Sequence, residues 1–100
     1  MARRLARNAT VAVDTTAVAV APERDRISIY LRNSSTAGQT ITLVCSDTQT
    51  ATVLAGMPLK QGDFIIDSDN EKYECWDGNI SAISDVAGAV LSVYERIRVK

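Results

Sequence analysis

The chain has 100 residues, enough for one hydrophobic core and no second one, and 46% of them are hydrophobic. Most of that fraction is Ala and Val, with one Phe, one Trp and three Tyr, so the core is thin and gains from a partner or from self-association. The absence of histidine removes imidazole chemistry, a net charge of −1 argues against a general nucleic-acid binder, and no apolar run reaches the roughly 18 residues that cross a bilayer.

The charge is unevenly spread. Arg3, Arg4 and Arg7 stand near one end and Arg96, Arg98 and Lys100 near the other. The body between them sets five basic residues against all twelve acids, a balance of −7. Such a chain can self-associate end to body or lay a basic arm on an acidic neighbour, and a disordered, solvated terminus is the other reading. Residues 1–9 read as that arm and residues 10–100 as the domain. No continuous apolar stretch with a cleavage site follows the first arginines, so no secretory signal is read and synthesis in the cytoplasm is expected.

Period-two alternation, not helical spacing, runs through the chain. Residues 10–21 place Val11 and Val13, then Val18 and Val20, on alternate positions around Asp14-Thr15-Thr16, which predicts one kinked strand or two short ones. Residues 26–33 predict a strand with Ile27, Ile29 and Leu31 on one face and Ser28, Tyr30 and Arg32 on the other. The turn-rich residues 33–38 then lead to residues 39–45, with Ile41, Leu43 and Cys45 inward and Thr40 and Thr42 outward, and the two strands are expected to pair as a hairpin. Pro58, between Gly56 and Gly62, predicts a break in regular pairing. A strand around Phe64 and Ile66 follows, then a polar loop and a strand over residues 72–76. Asp77-Gly78 fits a two-residue hairpin turn, which sets Cys75 against Ile80 and Tyr73 against Ala82 on the core face and leaves Trp76 more solvated. Residues 90–99 close the chain as a strand, and Arg26 and Glu95 are expected to form an ion pair at a sheet edge. Seven or eight short strands with turns between them predict an all-β, single-domain antiparallel sandwich or flattened barrel.

Catalytic signatures are missing. Without histidine there is no Ser or Cys triad, and no nucleophile elbow, phosphate loop or dinucleotide-binding glycine pattern occurs, so no enzyme is read. Residues 67–71, Asp-Ser-Asp-Asn-Glu, have the oxygen density of a calcium loop but carry Lys72 at the sixth position and Gly78 at the twelfth, where that loop needs Gly and Glu. They read as a solvated turn, with no metal and no cofactor. Cys45 and Cys75 have no CxxC spacing, and two reduced thiols are expected, with a disulfide as the other reading.

Ala21-Pro22-Glu23-Arg24-Asp25-Arg26-Ile27-Ser28-Ile29-Tyr30-Leu31-Arg32-Asn33-Ser34, the Gly56-Met57-Pro58-Leu59-Lys60-Gln61-Gly62-Asp63 loop, Ile80-Ser81-Ala82-Ile83 and Val90-Leu91-Ser92-Val93-Tyr94-Glu95 form a pattern across residues 10–95. It resembles the small β-sandwich structural proteins of tailed bacteriophages, from which residues 63–77 depart by being more acidic. The resemblance implies a virion protein, either a capsid decoration or cement protein bound to the major coat protein or a tail or head-fibre accessory module that self-associates as a homotrimer. From the exposed aromatics a carbohydrate-binding sandwich is the reading from another class. The expected contact residues are Arg3, Arg4, Arg7, Trp76 and Tyr94, with no specific nucleic acid and no membrane as partner.

Overall fold

The structure, a computed structural model, describes the backbone of residues 3–99 and the side chains of residues 5–98. Eight strands form it: β1 (Arg3–Val13), β2 (Val18–Ala21), β3 (Arg26–Asn33), β4 (Ile41–Cys45), β5 (Met57–Leu59), β6 (Phe64–Ser68), β7 (Ile80–Ser84) and β8 (Ala89–Val99). They make two antiparallel four-stranded sheets, A in the order β1-β8-β3-β6 and B in the order β2-β7-β4-β5. The expected all-β sandwich is what the chain adopts, and no helix occurs among the described residues.

The core is the set of alternate positions that the two sheets turn toward each other. Leu31, Ile41, Leu43, Ile80 and Leu91 are buried there, and each such aliphatic side chain contributes roughly 2 kcal/mol on leaving water. Ala82, Ala89, Val13, Val20 and Val93 fill the space between them. Small residues allow the sheets to pack without large aromatics.

Several expectations fail for identifiable reasons. Strands β3 and β4 do not pair; they lie in opposite sheets, and residues 34–40 carry the chain from A to B. The crossing is tied by Asn33, which is fully buried: Nδ2 donates to the carbonyls of Gln39 and Leu59, both at 2.8 Å, and Oδ1 accepts the Ser35 N–H at 3.0 Å. Pro58 does sit in a strand, opposite Thr42, because β5 is the edge of sheet B and its outer side needs no donor. Thr42 and Val44, on the outward side of β4, are buried beneath residues 46–56.

Residues 72–76 form no strand, and Asp77-Gly78 makes no hairpin turn, since neither residue has positive φ. Side chains take the backbone groups that a ladder needs: Asp69 accepts the Cys75 N–H, Asp67 accepts the Trp76 N–H, and Arg26 donates to the carbonyls of Trp76 and Gly78. Gly78 serves close approach instead, because a Cβ there would lie 2.5 Å from the Trp76 ring. Cys75 and Ile80 are buried as expected, but Tyr73 is 70% exposed and Trp76 is half-buried against the core. The expected arm, residues 1–9, is from Arg3 onward part of β1 and pairs with β8 in the register Arg3↔Val99 to Ala9↔Val93. Residues 1 and 2 lie outside the described residues.

Candidate interaction face

Strand alternation gives sheet A an inner set and an outer set, and the outer set is organised in three cross-strand rows. Register places Asn8, Tyr94, Tyr30 and Ile66 side by side across β1, β8, β3 and β6. On one side of that row run Thr10, Ser92, Arg32 and Phe64, and on the other Ala6, Arg96, Ser28 and Ser68. Phe64 leans diagonally onto Tyr30, with ring centroids 5.5 Å apart and planes tilted by 36°. Phe64 is 56% exposed, Ile66 64% and Tyr94 37%. A shallow trough of about 370 Å³ runs between Tyr94, Tyr30 and residues 8–10 of β1.

Large apolar groups left in water on a flat sheet are the mark of a contact surface when they are contiguous, and here they are. From a strand spacing of about 4.8 Å and a rise of about 3.3 Å per residue, the four strands project a plane of roughly 550 Å². That is the scale of one side of a small protein–protein interface, somewhat under the ~800 Å² of accessible surface per partner in a standard one.

Behind this face, at one end of the sandwich, lies a charge cluster. Glu95 points inward from β8 and is fully buried; its Oε2 accepts from Nε of Arg26 at 2.8 Å and its Oε1 accepts from Nε of Arg7 at 2.6 Å. Arg24 approaches Oε1 at 3.3 Å. The Arg26–Glu95 pair therefore exists, but between the two central strands of sheet A and inside the molecule, not at an edge. A buried charge is costly unless it is paired and hydrogen-bonded, and beyond Glu95 the Arg26 guanidinium donates to the carbonyls of Pro22, Trp76 and Gly78.

The expected contact residues separate. Tyr94 lies in the central row of the face. Arg7 turns toward Glu95 and the Val20 carbonyl and is half-buried there. Trp76 is half-buried and donates from Nε1 to the Asn79 carbonyl at 3.0 Å. Arg3 and Arg4 belong to β1 in backbone, and their side chains lie outside the described set. The sequence reading did not single out Tyr30, Arg32, Phe64, Ile66 and Arg96. The signal for Tyr30 and Arg32 was present, since alternation already placed them opposite Ile29 and Leu31; what was lacking was the pairing of β3 with both β8 and β6.

In the acidic loop after β6, Asp69 is committed internally. Asp69 accepts the Cys75 N–H and the Arg98 guanidinium, the latter at 2.6 Å, and these hold its carboxyl below the usual aspartate value. Arg98 also reaches Asp25 at 3.2 Å and is itself raised by both contacts. Cys45 and Cys75 are both free thiols. Burial, reinforced by Asp67, pushes Cys75 up to about 11 and raises Cys45 as well.

Compared with protein-family models, with curated proteins and with solved structures, the chain matches none.

Proposed function

We propose that this protein is a non-catalytic adhesive module of a virion, a decoration protein that binds the coat through the outer face of sheet A. The observation that carries the reading is the contiguous row of Tyr94, Tyr30 and Ile66, with Phe64 beside it, left in water on the side of the sheet opposite the core. The virion setting comes from the pattern in residues 21–34, 56–63 and 90–95. Aromatic side chains at the centre of a contact supply most of its energy, and polar neighbours such as Asn8, Thr10 and Ser92 make its rim. A face of this modest size suits a protein present in many copies, where weak contacts act together on a shell.

The test is cosedimentation with virus particles stripped of this protein. Phe64→Ser with Ile66→Thr alters only exposed positions of β6 and leaves the core intact. Occupancy is expected to fall about tenfold or more. Undiminished occupancy rejects the face as the contact.

A second reading, a carbohydrate-binding sandwich, has one observation in its favour: the trough beside Tyr94 and Tyr30 carries Asn8, Thr10 and Ser92 on its walls. A glycan screen with and without Tyr94→Ala separates the two readings, because sugar stacking disappears with the ring.

A further inference from the structure

We propose that the outer face of sheet A docks on an acidic protein surface; this rests on the adhesive reading above and adds the partner's chemistry. All twelve acids of the chain fall within the described residues, and only two of them, Asp67 and Glu95, stand on strands. Both point inward, Asp67 to the Trp76 N–H and Glu95 to its arginines. The other ten occupy connecting segments, so no outward position of β1, β8, β3 or β6 carries a carboxylate.

The cations show the complementary arrangement. Arg7, Arg24, Arg26 and Arg98 are all held in ion pairs. Arg32 and Arg96 are exposed and have no ion-pair partner among the described residues, and both lie on this face, on opposite sides of the aromatic row. Four residues of strand separate their positions, roughly 13 Å at the rise of an antiparallel strand. In a protein of net charge −1, a face with two free guanidinium groups and no acid is a segregation of charge. Its complement is a surface with carboxylates at that spacing around an apolar centre.

Charge also decides between occupants. A second copy packed face to face on a two-fold axis brings Arg32 and Arg96 against the same two residues, with no carboxylate on either side. A single-stranded nucleic acid needs open ring faces for its bases. Here Phe64 already covers part of the Tyr30 ring, and Ile66 beside them is aliphatic.

The experiment exchanges charge without changing its sum: Arg32→Glu together with Glu71→Arg keeps the formal charge at −1, and Glu71 is an exposed residue of the loop that follows β6, outside the three rows of the face. Binding of the wild-type chain and of this double variant to stripped particles is measured at about 50 and about 300 mM salt, where screening separates charged from neutral contacts. The variant is expected to bind about tenfold more weakly at low salt, and the gap to narrow at high salt. Equal binding of the two overturns the proposal. In parallel, amide shifts of the wild-type chain are followed on adding polyglutamate and, separately, oligo-dT. Shifts from polyglutamate concentrated around Arg32, Ser92, Tyr94 and Arg96 support the proposal even if particles are not bound, in which case only the virion reading falls. Tighter binding of oligo-dT on the same residues, or wild-type dimers in sedimentation that the double variant dissolves, overturns it.

Discussion

Arg26 and Glu95 meet at 2.8 Å with neither side chain open to solvent, on adjacent central strands of the same sheet. One carboxylate thus answers three arginines, since Arg7 and Arg24 converge on its other oxygen. Glu95→Gln keeps the shape and removes the charge, leaving Arg26 buried without a counterion. Chemical denaturation is expected to show a loss of about 3 kcal/mol or more, and melting a Tm lower by roughly 10–20 °C. Arg24→Ala, at a partly exposed and longer contact, is expected to cost under about 1 kcal/mol. A Glu95→Gln midpoint equal to wild type contradicts the role of the cluster.

Asn33 sews the two sheets together where the chain crosses. Asn33→Ala strands two buried carbonyls and one buried N–H, and is expected to cost about 3 kcal/mol. Asn33→Asp is expected to be worse near neutral pH, because a carboxylate oxygen then faces the carbonyls of Gln39 and Leu59. Urea unfolding of the two variants, with the wild type alongside, checks both the size and the order.

Two glycines with positive φ separate backbone strain from crowding. Gly38, at φ 77°, has open space where a Cβ goes, so Gly38→Ala is expected to cost about 1 kcal/mol from backbone conformation alone. Gly56, at φ 129°, lies against the Leu43 carbonyl and the methyls of Thr42 and Val44, and Gly56→Ala is expected to detach residues 46–56 from sheet B. Faster amide exchange at Thr42 and Val44 in that variant is the signature.

The pH dependence has two limbs of opposite origin. Asp69 is depressed by the Cys75 N–H and then by Arg98, so its contribution is fully present above the ordinary aspartate value of about 4 and is lost as pH falls through the lower folded value. Asp69→Asn is expected to flatten the acid limb below about pH 4. Cys75 is raised to about 11 by burial, so its neutral thiol supports the fold below the ordinary thiol value, and that support is lost as pH climbs toward 11. Cys75→Ala is expected to weaken the alkaline limb, and Cys75 to resist alkylation at pH 8 in the native state while reacting in urea. Melting curves across pH check the first pair of statements and mass spectrometry the last.

Alternation read along the chain located most strands, and β3 matches its expected limits because Ile29 and Leu31 are flanked by polar residues on both neighbours. Residues 63–67 show where that signal ends. Phe64, Ile65 and Ile66 are all apolar, so either phase satisfies the pattern, and Ile65 is the residue that faces the core only because β3 pairs Leu31 with it. The same limit hid the exposed apolar face proposed as the contact surface, which is assembled from four segments between 3 and 99 and exists only once they are in register. Asp77-Gly78 misled for a different reason: a strong local turn preference of about 1 kcal/mol is outweighed by the side chains of Asp67, Asp69 and Arg26, which claim the surrounding backbone. Arg26 and Glu95 were legible as a pair, but glutamate is so seldom buried that nothing short of the pairing of β8 with both β1 and β3 places it inside.

The union of β1 with β8 has a consequence in time. On a ribosome β1 emerges before its partner β8, and residues 14–88 lie between them, so while those residues are made an eleven-residue strand has nothing to zip onto. Long-range closure of this kind is slow, and a waiting strand invites aggregation. Arg3, Arg4 and Arg7 then act as gatekeepers on the nascent chain, keeping like strands of neighbouring polypeptides apart until residue 95 arrives.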